Sequence, residues 1–273
     1  METRLMEIRA GYDISIEFQA PTPLILMLDI RPEREPDLIT PQQPAFEPWV
    51  PVQRYIDGFG SRCTRLLAPA GIFRTWAEFT VYDSGRHEQH VYDAKQTPVQ
   101  DLPSDVLVFL LGSRYCETDL LSDFAWSMFG NSPQGWSRVQ AIVDYVHSHI
   151  TFSYANARNT RTAWEGWNER IGVCRDFAHL AVTLCRCMNI PARYCTGYLG
   201  DIGVPVVPDP MDFSAWFEVW LDGVWYTFDA RHNVPRIGRI VIARGRDAAD
   251  VAISTSFGPH LLTSFNVTTY EIV

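Results

Sequence analysis

The stretch DFSAWFEVWLDGVWYTFDARHN, residues 212–233, constrains the fold more than any other part of the chain. Two runs of aromatic and branched residues flank Asp222-Gly223, a dipeptide suited to the positive φ angles of a type I′ hairpin turn. A two-residue loop leaves one register: Leu221 opposite Val224, Trp220 opposite Trp225, Glu218 opposite Thr227 and Trp216 opposite Asp229. Side chains alternate along a strand, so Ser214, Trp216, Glu218 and Trp220 share a face with Trp225, Thr227 and Asp229. The other face carries Phe213, Ala215, Phe217, Val219, Tyr226 and Phe228 and is apolar enough to be core. Ser214 and Asp229 thereby become diagonal neighbours. A residue at 214 is placed to be oriented by the Asp229 carboxylate, as a base is oriented by its acid in a triad. Serine, however, has no basic form near neutral pH.

The segment GVCRDFAHLAVTLCRCMNIP predicts a helix that begins at Cys174. Phe177, Leu180, Ala181, Leu184 and Met188 form its apolar face, and Asn189 and Pro191 end it. A thiol at a helix N-terminus meets the positive end of the macrodipole, which lowers its pKa. The free N–H groups there can also receive an oxyanion when a thiolate attacks a carbonyl. Gly172 removes a side chain where a substrate would approach.

The rest of the chain divides into two regions, an N-terminal β-rich domain over residues 1–110 and a core domain over 111–273. YDISIEF alternates, with Tyr12, Ile14, Ile16 and Phe18 on one face. TPLILMLDI, RYIDGFGSRCTRLL and TWAEFTVYDSGRHEQHVY read as further strands, with Asp-Gly and Ser-Gly breaks. The proline- and charge-rich RPEREPDLITPQQPAFEPWVP reads as an exposed loop. After TPVQDLPSDVLVFLLGSRY the apolar spacing becomes helical. Trp136, Val139, Ile142, Val143 and Val146 make one stripe, with Ser132 as the candidate cap of that helix. The tail PRIGRIVIARGRDAADVAISTSFG reads as a strand followed by a charged loop.

A net charge of −9 offers no basic stripe to hold nucleic acid or an anionic membrane surface. The N-terminal METRLMEIRAGYDISIEF has charges every few residues and no apolar leader, and no run nears the length of a membrane span. The expected location is the cytoplasm. The six cysteines lack disulfide-framework or paired zinc spacing. Cys185, Cys187 and Cys195 read as buried thiols, and His87, His90, His147 and His149 as solvated side chains. No metal or cofactor is expected.

TAWEGWNERIGVCRDFAHLAVTLCRCMNIPARYCTGYL together with DFSAWFEVWLDGVWYTFDARHN resembles the bacterial transglutaminase-like superfamily of cysteine proteases and amidases. The resemblance spans roughly residues 150 to 245, and the N-terminal part is similar, more loosely, to the β-rich region that precedes this core in such proteins. It implies an α+β fold with a papain-like transglutaminase core, a nucleophile helix packed on an antiparallel sheet, after an all-β N-terminal domain. It also implies a Cys–His–Asp triad acting on peptide or protein amides. Cys174 matches the nucleophile and Asp229 the acid, while the histidine position falls on Ser214. His179 lies five residues after Cys174, about 140° round a helix, and reads as a structural histidine. His232 is the first candidate for a substitute base, if the chain bends after Asp229, and His260 the second. Asn168 and Trp164 are candidates for an oxyanion or substrate pocket. Glu218 is a substrate contact or an exposed strand residue. Two functions follow: thiol-dependent acyl transfer or hydrolysis of an amide or isopeptide bond, or an inactive relative whose cleft binds a peptide or partner protein.

Overall fold

Alternation in the N-terminal stretch is realised as a long strand, β1 (Met6–Phe18), which buries Ile8, Ala10, Tyr12, Ile14, Ile16 and Phe18. The computed structural model describes residues 6–207 and 210–272; residues 1–5, the start of the stretch read above for a leader, lie outside them. After β1 come β2 (Thr22–Leu26), β3 (Leu38–Thr40), β4 (Ala45–Glu47), β5 (Val52–Ile56), β6 (Arg62–Ala68) and β7 (Gly71–Asp83). Helices follow: α1 (Thr118–Phe129) and α2 (Trp136–His149), then the short β8 (Thr151–Phe152), α3 (Ala163–Glu169) and β9 (Ile171–Gly172). The central helix α4 (Cys174–Cys187) leads into β10 (Ala192–Tyr198), β11 (Ser214–Leu221) and β12 (Val224–Phe228). The chain finishes with β13 (Ile240–Gly245), β14 (Ser254–Ser256) and β15 (His260–Ile272).

The N-terminal strands form two sheets. One runs β15-β1-β7-β3, with β4 also on β7, and the other runs β14-β2-β6-β5. The segment expected to be an exposed loop therefore supplies two short edge strands. The reason is the length of β7, whose second edge offers Trp76, Thr75 and Arg74 to β4 and Val81 and Thr80 to β3. Exposed edge donors and acceptors favour such pairing.

The core sheet has the order β12-β11-β10-β13 and is antiparallel throughout. Helix α4 packs on β10 and β11 and is flanked by α1, α2 and α3. It is consequently buried from Asp176 to Cys187 on every side, as a helix at the centre of a domain must be. One apolar cluster joins α4, α2 and the hairpin residues Phe217, Val219, Leu221 and Phe228. A second joins β1 and β7 to Tyr194, Tyr198, Phe213 and Ile240 on the back of the core sheet. The fold is α+β, an all-β N-terminal region followed by helices packed on an antiparallel sheet. We propose residue 110 as the boundary between the two parts along the chain, with β14 and β15 as a C-terminal addition to the first.

The stripe of α2 is buried as expected, but its cap is not Ser132. Gly135, at φ 80°, precedes the helix. A Cβ there would lie 2.2 Å from the Ala94 carbonyl oxygen, so the close approach requires glycine. The Ser132 hydroxyl donates to the Phe129 carbonyl and accepts from Arg138.

Candidate active site

Cys174 opens α4 because the chain enters it from an extended Val173, at φ −115° and ψ 178°. Valine has no side-chain acceptor, so the cap comes from inside the helix. The Asp176 carboxylate turns back and accepts from the Val173 N–H at 2.9 Å and from Arg161 Nη1 at 3.0 Å. Asp176 and Arg161 are both buried, and each has a second partner: Arg161 Nε donates to Glu169 at 2.9 Å, and Arg175 Nη1 lies 3.4 Å from Asp176 Oδ1. A Cβ on Gly172 would lie 2.6 Å from Asp176 Oδ2 and 2.7 Å from its Cβ. Gly172 therefore admits the capping carboxylate rather than a substrate, which corrects the sequence reading. The N–H groups of Cys174 and Arg175, in the first turn, are donors that the helix itself cannot satisfy.

The hairpin has the expected register, from Leu221 opposite Val224 to Phe217 opposite Phe228. Asp222 and Gly223 have φ of 47° and 82°. Beyond Phe228 the strand stops and the chain turns: Asn233 N–H donates to the Asp229 carbonyl at 2.8 Å. Asp229 holds this turn together. Its Oδ1 accepts from the N–H groups of Arg231 and His232 at 2.9 and 3.1 Å. Its Oδ2 accepts from His232 Nδ1 and from Arg239 Nη2, both at 2.8 Å. Burial alone would raise the Asp229 carboxyl, but the Arg239 guanidinium and the bonds to His232 hold it well below the usual carboxylate range.

The bend thus brings His232 round to its acid. The expected partnership of Ser214 with Asp229 does not form. Ser214 is buried and its Oγ has no hydrogen-bond partner among the described residues. Its hydroxyl is short, and the Asp229 carboxylate oxygens are already engaged.

Cys174, Ser214 and His232 line one cavity of about 320 Å³, with Tyr154, Asp212 and Arg231. Leu199, Val204, Val207 and Phe213 supply apolar wall. Cys174 is half-buried, and the other five cysteines are buried. The expected lowering of the thiol pKa at the helix start does not prevail. Burial pushes the Cys174 thiol up to about 11, although the Arg231 charge and the Ala215 N–H favour the thiolate. A thiol held that high needs a proton acceptor before it can attack.

The other sequence candidates lie elsewhere. His260 is exposed on β15, opposite Phe18. His179 is fully buried between Tyr115 and Tyr194, and its Nε2 accepts from the Ala248 N–H at 3.1 Å. Trp164 stacks on Trp167 with ring centroids 5.1 Å apart. Asn168 is bonded to the Trp164 carbonyl and is exposed. Neither lines the Cys174 cavity. Glu218 is neither exposed nor in that cavity: it is buried between Arg193 and Arg244, which donate to it at 2.6 and 2.9 Å. Sequence reasoning missed Arg239, Arg231, Tyr154 and Asp212. Arg239 sits in a tail that reads as strand and charged loop, and nothing local marks its reach to Asp229.

Among the described residues no helix is long and apolar enough to cross a membrane, and no three His, Cys, Asp or Glu side chains gather as a metal-ligand set.

The sequence profile of the transglutaminase-like superfamily matches residues 123–230. That span includes Cys174, Ser214 and Asp229, and His232 falls just beyond it. A candidate cysteine protease from Cytophaga hutchinsonii has a crystal structure similar to this chain, at 31% identity and a TM-score of 0.85. The alignment covers 99% of this chain and 92% of that one. An uncharacterized protein of Mycobacterium leprae is 38% identical over 84 residues, which is 30% of this chain and 30% of that protein. One of Mycobacterium tuberculosis is 33% identical over 116 residues, 38% of this chain and 36% of that protein. The chain thus spans about a third of the length of these mycobacterial relatives.

Proposed function

The chain belongs to the transglutaminase-like superfamily, and from that premise we propose that it is a cysteine-dependent amidase or peptidase with Cys174 as nucleophile and His232 as base. The observation that carries the reading is the 2.8 Å bond from His232 Nδ1 to Asp229, with His232 and Cys174 on one cavity. A carboxylate on Nδ1 fixes the ring as the tautomer whose Nε2 is free to accept a proton. Nε2 takes the thiol proton, the Cys174 Sγ attacks the carbonyl carbon, and the N–H groups at the start of α4 receive the oxyanion. The imidazolium then gives its proton to the leaving amine, and the acyl-enzyme is resolved by water or an amine. Arg239 is a positioning residue, because it keeps Asp229 ionised and in place. Peptide and amide substrates are the class that the family suggests.

Iodoacetamide labelling of Cys174 against pH tests the reading. The expected profile inflects below the value of about 11 to which burial pushes the thiol, because the thiolate forms as half of an ion pair with His232. The His232→Gln variant should raise the inflection above the parent's and cut amidase turnover by about 10²–10⁴-fold. A parent profile whose inflection coincides with that of His232→Gln would sink it.

One observation favours a second reading, a non-catalytic domain that binds a peptide or partner protein. Ser214 stands where the superfamily resemblance calls for a histidine, with a buried hydroxyl that has no hydrogen-bond partner among the described residues. Saturable peptide binding without any Cys174-dependent turnover is its expected signature.

A further inference from the structure

Two arginines line the Cys174 cavity, and they are not equivalent. Arg236 is buried and committed: its Nη2 donates to the Gly200 carbonyl at 2.9 Å and lies 3.5 Å from Asp201. Arg231 is half-buried, and its guanidinium has no carboxylate within ion-pair distance among the described residues. Its backbone is pinned by the bond to Asp229, and its guanidinium carbon sits 3.9 Å from the Phe152 ring centroid. Phe152 pairs with Gly172, two residues before the nucleophile, so this stack ties Arg231 to the strand that delivers Cys174.

A guanidinium stacked on one face keeps its edge donors free, and that planar fork matches a carboxylate. Tyr154 is its neutral neighbour in the cavity, and holding such a cation part-desolvated, with no ion-pair partner among the described residues, costs free energy that an arriving anion would recover. Asp212 also lines the cavity and feels the Arg231 charge, but burial outweighs that attraction and raises its carboxyl, which weakens it as a resident counter-ion. We infer that Arg231 is a specificity residue that binds a carboxylate of the acyl donor, so that the substrate is a peptide or small amide carrying a free carboxylate near the scissile bond. The thiol and the guanidinium share a cavity of about 320 Å³, which holds the carboxylate and the reacting carbonyl on one small acyl portion. The inference rests on Cys174 being the nucleophile of this cavity.

Two measurements test it. Cys174 is the one cysteine of the six that is not buried, so native alkylation reports on this site. Iodoacetate should label it faster than iodoacetamide does, relative to the same ratio for free cysteine, and Arg231→Gln should lower that preference about tenfold, a 1.4 kcal/mol effect. His232→Gln should slow both reagents and leave the preference in place. A preference untouched by Arg231→Gln, or lost equally in His232→Gln, overturns the inference. The second measurement needs no reactive thiol. In the Cys174→Ser protein, calorimetric titration should detect saturable binding of N-acetylglycine and not of N-acetylglycinamide, and Arg231→Gln should abolish it. Equal binding of the two, or binding of neither, overturns the inference even if Cys174 proves reactive. Unreactive Cys174 with selective acid binding would instead reject the catalytic reading alone. Peptides offering only a terminal carboxylate, or only an aspartate side chain, then distinguish the two sources of the anion.

Discussion

Asp229 accepts four hydrogen bonds, from two backbone N–H groups, one imidazole and one guanidinium. No oxygen remains free for a second imidazole without a loss elsewhere. Ser214 nevertheless lines the same cavity as Cys174, with a hydroxyl that has no partner among the described residues. Introducing Ser214→His into the His232→Gln background should therefore restore part of the lost turnover, since Asp229 then has an acceptor site to offer the new ring. Unrestored turnover, in a variant that folds and labels at Cys174, would show that position 214 cannot reach the acid. A second residue-scale prediction concerns His179. Burial, reinforced by Arg175 and Arg186, holds its pKa well below the ordinary value. The unfolded chain takes up a proton near pH 6.5 and the folded chain does not. Its contribution to stability is therefore complete above about pH 6.5 and falls as the pH drops, by up to about 1.4 kcal/mol per pH unit. Urea midpoints measured from pH 8 to 5 should show this slope in the parent and lose it in His179→Gln. The depressed Asp229 carboxyl acts in a separate window, because its stabilisation is lost only as the pH falls below about 4.

At the scale of the element, the start of α4 depends on a closed arrangement of Gly172, Val173 and Asp176. The carboxylate caps the helix only because no Cβ occupies the space at Gly172. Gly172→Ala should force Asp176 off its cap and cost about 1–3 kcal/mol, as overpacking does, readable as a shift in the denaturant midpoint. A neutral result would mean that the backbone of β9 can shift to make room. The hairpin is the element most legible in the sequence. Asp222-Gly223 selects one turn type and hence one register, with no reference to the rest of the molecule. Helix α2 was legible in its buried stripe but not in its cap, since Gly135 is explained by the Ala94 carbonyl beside it and not by its neighbours in sequence.

For the whole molecule, the last strand closes the first sheet: β15 pairs with β1 from Glu7 to Phe18. Removing residues 259–273 should uncover that edge and the cluster around Val267. The expected outcome is self-association or failure to fold, checked by size-exclusion chromatography. A monomeric truncated protein with native circular dichroism would show that the transglutaminase-like core and the remaining strands suffice. By itself the sequence determined the hairpin, the helix beginning at Cys174 and the absence of an imidazole at 214, since these follow from turn chemistry, residue period and residue identity over short spans. Only the tertiary structure decided which histidine meets Asp229, why Gly172 is glycine, and where the last strand pairs. Each of those is a competition among groups brought together by packing. The turn after Phe228, anchored by Asp229 and held by Arg239 from the following segment, placed His232 beside the acid, and no local periodicity encodes that meeting.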